Sequence, residues 1–261
     1  MKIGVPKEVK NNECRVGLTP SSVKTLVSDN HEIFIQSNAG NEIGFTDLAY
    51  IEAGASILQS PQEIYSASEL IIKVKEPMQQ ELKYLRKGLT LFTYLHLAGD
   101  LSMAKEILKT GVTGIAYETV TNENGALPLL APMSAIAGQL SVVVGSYHLL
   151  KPNQGRGTLI GKLDPRIVSV IGGGVAGNEA ITKSLANGAR VKVLDLSQKK
   201  LNELKLQHGQ TNIEYIISNP STIEDAISVS DLVIGSVYVV GKQAPKVVTK
   251  EMLKSMTKGS V

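Results

Sequence analysis

The residues from Ile167 to Asp195 constrain the fold of this chain more than any other stretch. The stretch opens with a short apolar run rich in β-branched residues, which is typical of a buried strand. Three glycines in G-x-G-x-x-G spacing follow, namely Gly172, Gly174 and Gly177. Apolar residues at helical spacing come next, and a second strand-like run ends on an acid about 20 residues past the glycines. This order predicts a dinucleotide-binding unit.

Each of these residues has a physical task in such a unit. Gly172 allows a sharp turn, Gly174 lets the backbone approach a diphosphate, and Gly177 lets helix and strand pack closely. The helix N-terminus offers free N–H groups to phosphates. The carboxylate of Asp195 can accept the ribose hydroxyls and would repel a 2′-phosphate, so the motif favours NAD over NADP. A glycine-rich turn in another kind of α/β protein is the alternative, and the matched strand, helix and acid argue against it.

Composition limits the function classes. A chain of 261 residues is long enough for two ordinary domains. The formal charge of +3 is spread without a basic block, so the sequence predicts neither nucleic-acid nor membrane partners. A single cysteine, Cys14, excludes an internal disulfide and suits a cytoplasmic protein. We expect no metal site, because no cluster of Cys, His and acids has ligand spacing.

The fold class expected from the alternation of strand and helix signals is α/β, with two doubly wound Rossmann-like domains built on parallel sheets. Residues 1–131 are assigned to a substrate or catalytic domain, and residues 132–261 to an NAD-binding domain. A helix over about 132–150 would link them. This helix is apolar almost all round, so we expect it to be buried between the domains. The last elements expected are a strand over Leu232–Val240 and a helix over Thr249–Met256.

Three side chains of the first domain are candidates for chemistry. Arg15 follows the first strand, and an arginine can bind a carboxylate through two parallel N–H bonds. Lys75 ends a buried strand and could polarise a carbonyl, whereas His96 ends the next strand and could move a proton. Surface positions for Arg15 and Lys75, and a core position for His96, are the ordinary alternatives.

Several segments together resemble alanine dehydrogenase. They span essentially the whole chain and include MKIGVPKEVKNNECRVGLTP, LIIKVKEP, LFTYLHLA, ALPLLAPMSAIAG, VIGGGVAG, DLVIGSV and APKVVTKEMLKSMTKGSV. The resemblance implies reversible deamination of L-alanine to pyruvate and ammonia with NAD, in a homo-oligomer that is a hexamer in the family.

The resemblance also implies roles for individual residues. Arg15 and Lys75 match the pyruvate-binding residues, and His96 matches the catalytic acid/base. The residues that match NAD contacts, together with the glycines of the motif, are Ser134, Val175, Ala176, Asp195, Lys200, Ser218, Val237 and Tyr238.

Two departures from the family pattern stand out. KLDPRI after Gly161 replaces a longer glycine-rich segment, and the family continues past GSV with a strand that ends in an active-site aspartate. We therefore expect a chain that is truncated at its C-terminal end, with an unfinished second sheet and weak or absent activity. The alternatives are a non-catalytic NAD-binding remnant, half of a split enzyme, or a transhydrogenase-like NAD-binding subunit.

Overall fold

A computed structural model describes residues 1–161 and 165–261 of the chain. Lys162–Asp164, the first three residues of the KLDPRI departure, lie outside the described residues. The chain divides into two compact units, Met1–Leu127 (unit 1) and Pro128–Val261 (unit 2). The division falls a few residues before the boundary predicted at Ala131.

Unit 1 is a doubly wound parallel sheet with six strands and is described along its whole length. The order across the sheet is β3-β2-β1-β4-β5-β6, and every pair is parallel. The strands are β1 (Lys2–Val5), β2 (Glu32–Gln36), β3 (Ser56–Leu58), β4 (Leu70–Ile72), β5 (Thr90–Thr93) and β6 (Thr113–Ala116). The helices between them are α1 (Pro20–Ser28), α2 (Asp47–Glu52), α3 (Pro61–Ala67) and α4 (Leu101–Lys109). The strand order reverses direction between β1 and β4, and that reversal is where doubly wound sheets bind ligands.

Side chains that accept from free N–H groups set where the helices of unit 1 begin. The Thr19 hydroxyl accepts from the first turn of α1, which has a proline at its first position. Ser60 and Glu63 form a reciprocal capping box on α3. The Asp100 carboxylate accepts from the N–H groups of Ser102 and Met103 at the start of α4. These local caps set the residue at which each helix begins.

The described part of unit 2, residues 128–161 and 165–261, holds a four-stranded parallel sheet in the order β10-β7-β8-β9. Its strands are β7 (Ile167–Ile171), β8 (Arg190–Asp195), β9 (Ile213–Ile217) and β10 (Leu232–Gly235). Its helices are α5 (Ala131–Leu149), α6 (Val175–Ala186), α7 (Gln198–His208) and α8 (Pro220–Ser228). Fully buried valines of β7 and β8 form the centre of its core.

Within unit 2, helix α5 packs against α6 and β10 through its small residues. An added Cβ at Gly138 would lie 2.1 Å from the Ala176 carbonyl oxygen of α6, and Gly145 lies against Leu232 of β10. The expectation that α5 is buried is not met along its whole surface, because one apolar stripe is half exposed. That stripe consists of Ile136, Leu140, Val143, Val144 and Tyr147. Among the described residues, none of the helices has the length and hydropathy to span a bilayer.

Two elements near the end of the chain differ from the sequence expectation. The strand expected over Leu232–Val240 ends at Gly235, since Gly235 pairs with Ile171, the last residue of β7 before the glycine turn. A strand cannot continue where its neighbour has already turned away. In place of a helix over Thr249–Met256, the chain forms a short 3₁₀ turn over Met252–Ser255.

Replacing Gly138 by alanine should loosen unit 2. The new methyl group would collide with backbone of α6, so α5 and α6 must separate, at a cost of roughly 1–3 kcal/mol. Gly235→Ala is the matched control, since an added Cβ there meets no atom within 4 Å and the backbone is not left-handed. Chemical denaturation should show a lower midpoint for Gly138→Ala alone. Equal midpoints for the two variants would contradict this description of the α5–α6 contact.

Candidate functional site

The glycine corner of unit 2 is formed by the end of β7 and the start of α6. Gly172 has φ +101°, a conformation that side chains rarely adopt. An added Cβ at Gly177 would lie 1.9 Å from the Gly172 carbonyl oxygen, so only glycine allows helix and strand to approach this closely. Gly174 precedes α6, carries no side-chain cap, and would present an added Cβ to open space. The three glycines thus have the local geometry that the three tasks of the motif would require.

Ser236 directly follows the neighbouring strand β10 and holds this corner in place. Sequence reasoning missed this residue. Its hydroxyl donates to the carbonyl oxygens of Ile171 (3.1 Å) and Gly172 (2.7 Å), and its backbone N–H donates to Ile171 (2.8 Å). The only sequence signal was its position at the end of a buried strand. Because Ser236 holds the Gly172 carbonyl, it also keeps the space that Gly177 enters.

Asp195 closes β8 beside the corner. One carboxylate oxygen accepts from the Gly173 N–H at 2.7 Å, and the other accepts from the Ser197 N–H at 2.8 Å. A carboxylate oxygen has two lone pairs, so each oxygen keeps capacity for one more donor. The uncapped N–H groups at the start of α6, the open space at Gly174 and this carboxylate together fit the diphosphate and ribose of a dinucleotide.

The other residues that resemble NAD contacts lie at different points of unit 2. Val175 and Ala176 form the first turn of α6, and Ser134 lies in the first turn of α5. Lys200 lies in α7, with its ammonium 2.5 Å from the Glu203 carboxylate. Ser218 follows β9, and its N–H donates to the backbone carbonyl oxygen of Asp195. Val237 and Tyr238 follow β10. Gly172–Gly174, Val175 and Asp195 are thereby brought together, and the roles of all these residues in binding NAD stay predictions.

The three chemistry candidates of unit 1 follow three neighbouring strands. Arg15 lies in the loop after β1, Lys75 follows β4, and His96 follows β5. Since the strands are parallel, all three loops leave the same edge of the sheet, at the β1/β4 reversal or next to it. The carboxyl edge therefore collects an arginine, a lysine and a histidine in one region of unit 1.

Glu13 holds Arg15 in a bidentate ion pair. The Arg15 Nε and Nη2 donate to the two oxygens of Glu13 at 2.7 and 2.6 Å, and the Arg15 backbone N–H donates to the same carboxylate at 3.1 Å. These bonds from Arg15 lower the pKa of Glu13, and the pair raises the pKa of Arg15. Both groups are charged at neutral pH.

Lys75 has its backbone fixed from both sides. Its N–H donates to Glu8 at 3.3 Å, and its carbonyl oxygen accepts from the Thr93 hydroxyl of β5 at 2.8 Å. The Lys75 ammonium lies 3.6 Å from a carboxylate oxygen of Glu76 and remains partly exposed. A lysine held in this way can present its charge to a small anion or a carbonyl.

His96 is exposed rather than part of the core, and its backbone is in the left-handed region at φ +48°. The carboxylate of Glu118 accepts from the N–H groups of Leu95 (3.2 Å) and His96 (2.6 Å) and so holds this turn. The imidazole lies close to Gly99, where an added Cβ would come within 2.3 Å of Nε2. The ring also lines a cavity of about 120 Å³ with Glu76 and other residues. An imidazole in this position is available to a small reactant.

A buried network of ion pairs lies beside the carboxyl edge of the sheet of unit 1. The Lys73 side chain is fully buried, and its ammonium lies 3.2 Å from Glu8 and 2.8 Å from Glu81. Glu8 also accepts from the Val74 N–H at 2.7 Å, and Glu81 accepts from the Tyr65 hydroxyl at 3.0 Å. Burial holds the pKa of Tyr65 well above its usual value, so its hydroxyl remains a donor. Every charge of the network has an opposite charge or a donor beside it.

Sequence reasoning missed the carboxylates that hold the candidates, Glu8, Glu13 and Glu118. One signal was present, since Lys73 directly follows the apolar strand β4 and precedes Val74, and a buried lysine requires an acid partner. Which acid supplies it depends on tertiary contacts 65 residues apart in sequence. Across residues 1–161 and 165–261, no group of three or more His, Cys, Asp or Glu is arranged to hold a metal ion.

Removing the buried lysine charge should destabilise unit 1. Lys73→Met leaves Glu8 and Glu81 buried without their cation, which costs about 3–5 kcal/mol. The exposed Lys105→Met of α4 is the control and should cost less than about 0.5 kcal/mol. Urea denaturation followed by tyrosine fluorescence measures both. A loss for Lys73→Met no larger than that for Lys105→Met would show that the network does not stabilise the fold.

The comparisons with known proteins cover both units. The family model described as alanine dehydrogenase/PNT, N-terminal domain, matches residues 4–137, and the model of the C-terminal domain matches residues 141–261. Alanine dehydrogenase of Staphylococcus haemolyticus is 47% identical over 266 residues, which are 100% of this chain and 70% of that protein. Alanine dehydrogenase of Bacillus subtilis is 45% identical over 265 residues, covering 100% and 69%.

Solved structures give the same result. An L-alanine dehydrogenase superposes with a TM-score of 0.87 at 44% identity, covering 100% of this chain and 72% of the other. A transhydrogenase from Sinorhizobium meliloti superposes with a TM-score of 0.78 at 25% identity, covering 100% and 76%. The chain belongs to the alanine dehydrogenase/PNT family, with two Rossmann-like units and the alanine dehydrogenases of Staphylococcus and Bacillus among its relatives.

Proposed function

We propose that this chain carries the substrate and cofactor machinery of an NAD-dependent L-alanine dehydrogenase. The reaction converts L-alanine, NAD⁺ and water into pyruvate, ammonium, NADH and a proton, and it is reversible. The observation that carries the proposal is the placement of Arg15, Lys75 and His96 after three neighbouring strands of unit 1. Membership of the family supports it.

The side chains of unit 1 have distinct roles in this proposal. Arg15 binds the substrate carboxylate through parallel N–H bonds. Lys75 lies close to the 2-oxo or 2-amino group and stabilises negative charge on the oxygen. His96 takes a proton from the substrate during oxidation and returns it during reduction. Glu118 keeps the imidazole available by holding the left-handed turn at His96.

The residues of unit 2 bind NAD, which when bound supplies the hydride acceptor and donor. The N–H groups at the start of α6 bind the diphosphate above Gly174. Asp195 binds the adenosine ribose through its remaining lone pairs. Its negative charge excludes the 2′-phosphate of NADP.

Removing the charge of Asp195 should change cofactor selectivity. Asp195→Ser should weaken NADH binding about tenfold, since it removes hydrogen bonds to a charged acceptor, and should narrow the gap between NADH and NADPH. The exposed Asp225→Ser of α8 is the control and should leave both affinities unchanged. Isothermal titration measures them. An unchanged preference for NADH in Asp195→Ser would contradict the assignment of Asp195.

A polypeptide of these 261 residues should bind NADH but turn over alanine weakly or not at all. The curated relatives are longer, and this chain spans about 70% of them. Members of a catalytic constellation act as a unit, so activity depends steeply on having all of them. An absorbance assay of NADH with alanine tests this expectation. Turnover at about 1–1,000 per second would contradict it.

Three other outcomes have their own signatures. NADH binding without turnover, unaffected by added chain fragments, favours a non-catalytic NAD-binding protein. Turnover restored by a fragment that carries the remaining residues of the relatives favours a split enzyme. The superposition on a transhydrogenase favours a third reading, in which His96→Ala would leave cofactor chemistry untouched. A hexameric assembly and a cytoplasmic location stay predictions.

A further inference from the structure

Arg15 lies in a loop, which makes its fixed orientation a physical problem. The loop runs from residue 6 to residue 19 without a helix or strand, and the Arg15 side chain is 42% exposed. A long side chain in such a loop loses rotamer entropy when it is ordered. If that ordering occurred only when substrate bound, it would weaken substrate binding.

We propose that Glu13 is a positioning residue that sets the Arg15 guanidinium in advance for the substrate carboxylate. This inference rests on the proposed function, because it assigns Arg15 to that carboxylate. Glu13 comes from the same loop and is only 11% exposed in its side chain. It binds Arg15 through three N–H groups, two on the guanidinium and one on the backbone.

The geometry determines which edge of the guanidinium is closed to the substrate. Glu13 occupies the edge formed by Nε and Nη2, so a substrate carboxylate does not bind in parallel along that edge. Two carboxylates on one guanidinium repel each other unless other cations lie near. Lys75 supplies such a charge, since it follows the neighbouring strand β4 at the same edge of the sheet, and its ammonium adds to the effect of Arg15 in lowering the pKa of Glu13. The Glu13–Arg15 pair therefore lowers the affinity of Arg15 for a second anion but fixes the direction from which the substrate carboxylate approaches it.

Pyruvate binding to the NAD-loaded chain tests the proposal without requiring turnover. Glu13→Ala should weaken pyruvate binding about tenfold, because Arg15 loses charged hydrogen bonds that order it. The pyruvate affinity of Glu13→Gln should lie between those of the unaltered chain and Glu13→Ala, since the amide oxygen still accepts from Nε of Arg15. Glu42→Ala removes a nearby carboxylate that bonds Cys14 and Lys7 rather than Arg15, and it should bind pyruvate normally.

Formate separates positioning from general damage to the loop. In the unaltered chain, formate competes with pyruvate and weakens its binding. In Glu13→Ala, formate can enter the space of the lost carboxylate, bind Nε and Nη2, and strengthen pyruvate binding at low concentration. A structural defect would not produce this reversal of sign.

Each result decides the question. Pyruvate affinity that is unchanged in Glu13→Ala, or formate that weakens binding equally in both chains, overturns the role of Glu13. If circular dichroism and thermal unfolding show that Glu13→Ala is not folded, Glu13→Gln then decides by weakening pyruvate binding or leaving it unchanged. An unaltered chain that binds NADH but no pyruvate counts against the proposed function itself, and the role of Glu13 falls with it.

Discussion

Parallel strand pairing is the constraint on which both units depend. When neighbouring strands run the same way, every loop that follows a strand begins at the same edge of the sheet. In unit 1 this edge receives Arg15, Lys75 and His96, which are far apart in sequence. In unit 2 it receives the glycine corner and Asp195. Residues suited to chemistry and cofactor binding are therefore collected by topology rather than by sequence proximity.

Carboxylates convert this placement into defined geometry. Glu8 holds the backbone at Val74 and Lys75, Glu13 holds the guanidinium of Arg15, and Glu118 holds the turn at His96. Each acid accepts donors from a loop that would otherwise leave backbone N–H groups unpaired or side chains disordered. The cost is buried charge, which unit 1 offsets by placing the Lys73 ammonium between Glu8 and Glu81. In unit 2, the carboxylate of Asp195 likewise accepts a loop donor, the Gly173 N–H.

Local patterns were enough to predict the fold and much of the glycine corner. The β-branched run before Gly172 and the acid at Asp195 are short-range signals, and the structure has a parallel strand, a turn, a helix and a parallel strand there. The end of β10 could not be predicted from its own residues, because it depends on where β7 stops. Likewise, the residues after Thr249 carry a helical pattern, yet they form only a 3₁₀ turn.

The supporting acids were out of reach for a related reason. A glutamate such as Glu8 or Glu118 has the same sequence appearance as one on the surface, and its role exists only through a partner elsewhere in the fold. The exposure of His96 also depends on tertiary structure, since an apolar sequence environment favours a core position that the left-handed turn does not allow.

A crystal structure of the chain soaked with NADH and pyruvate tests the central claim most directly. The account predicts the diphosphate over Gly174 at the start of α6, the adenosine ribose on the Asp195 carboxylate, and the pyruvate carboxylate on Arg15. A dinucleotide bound elsewhere, with the glycine corner closed by protein atoms, would contradict it.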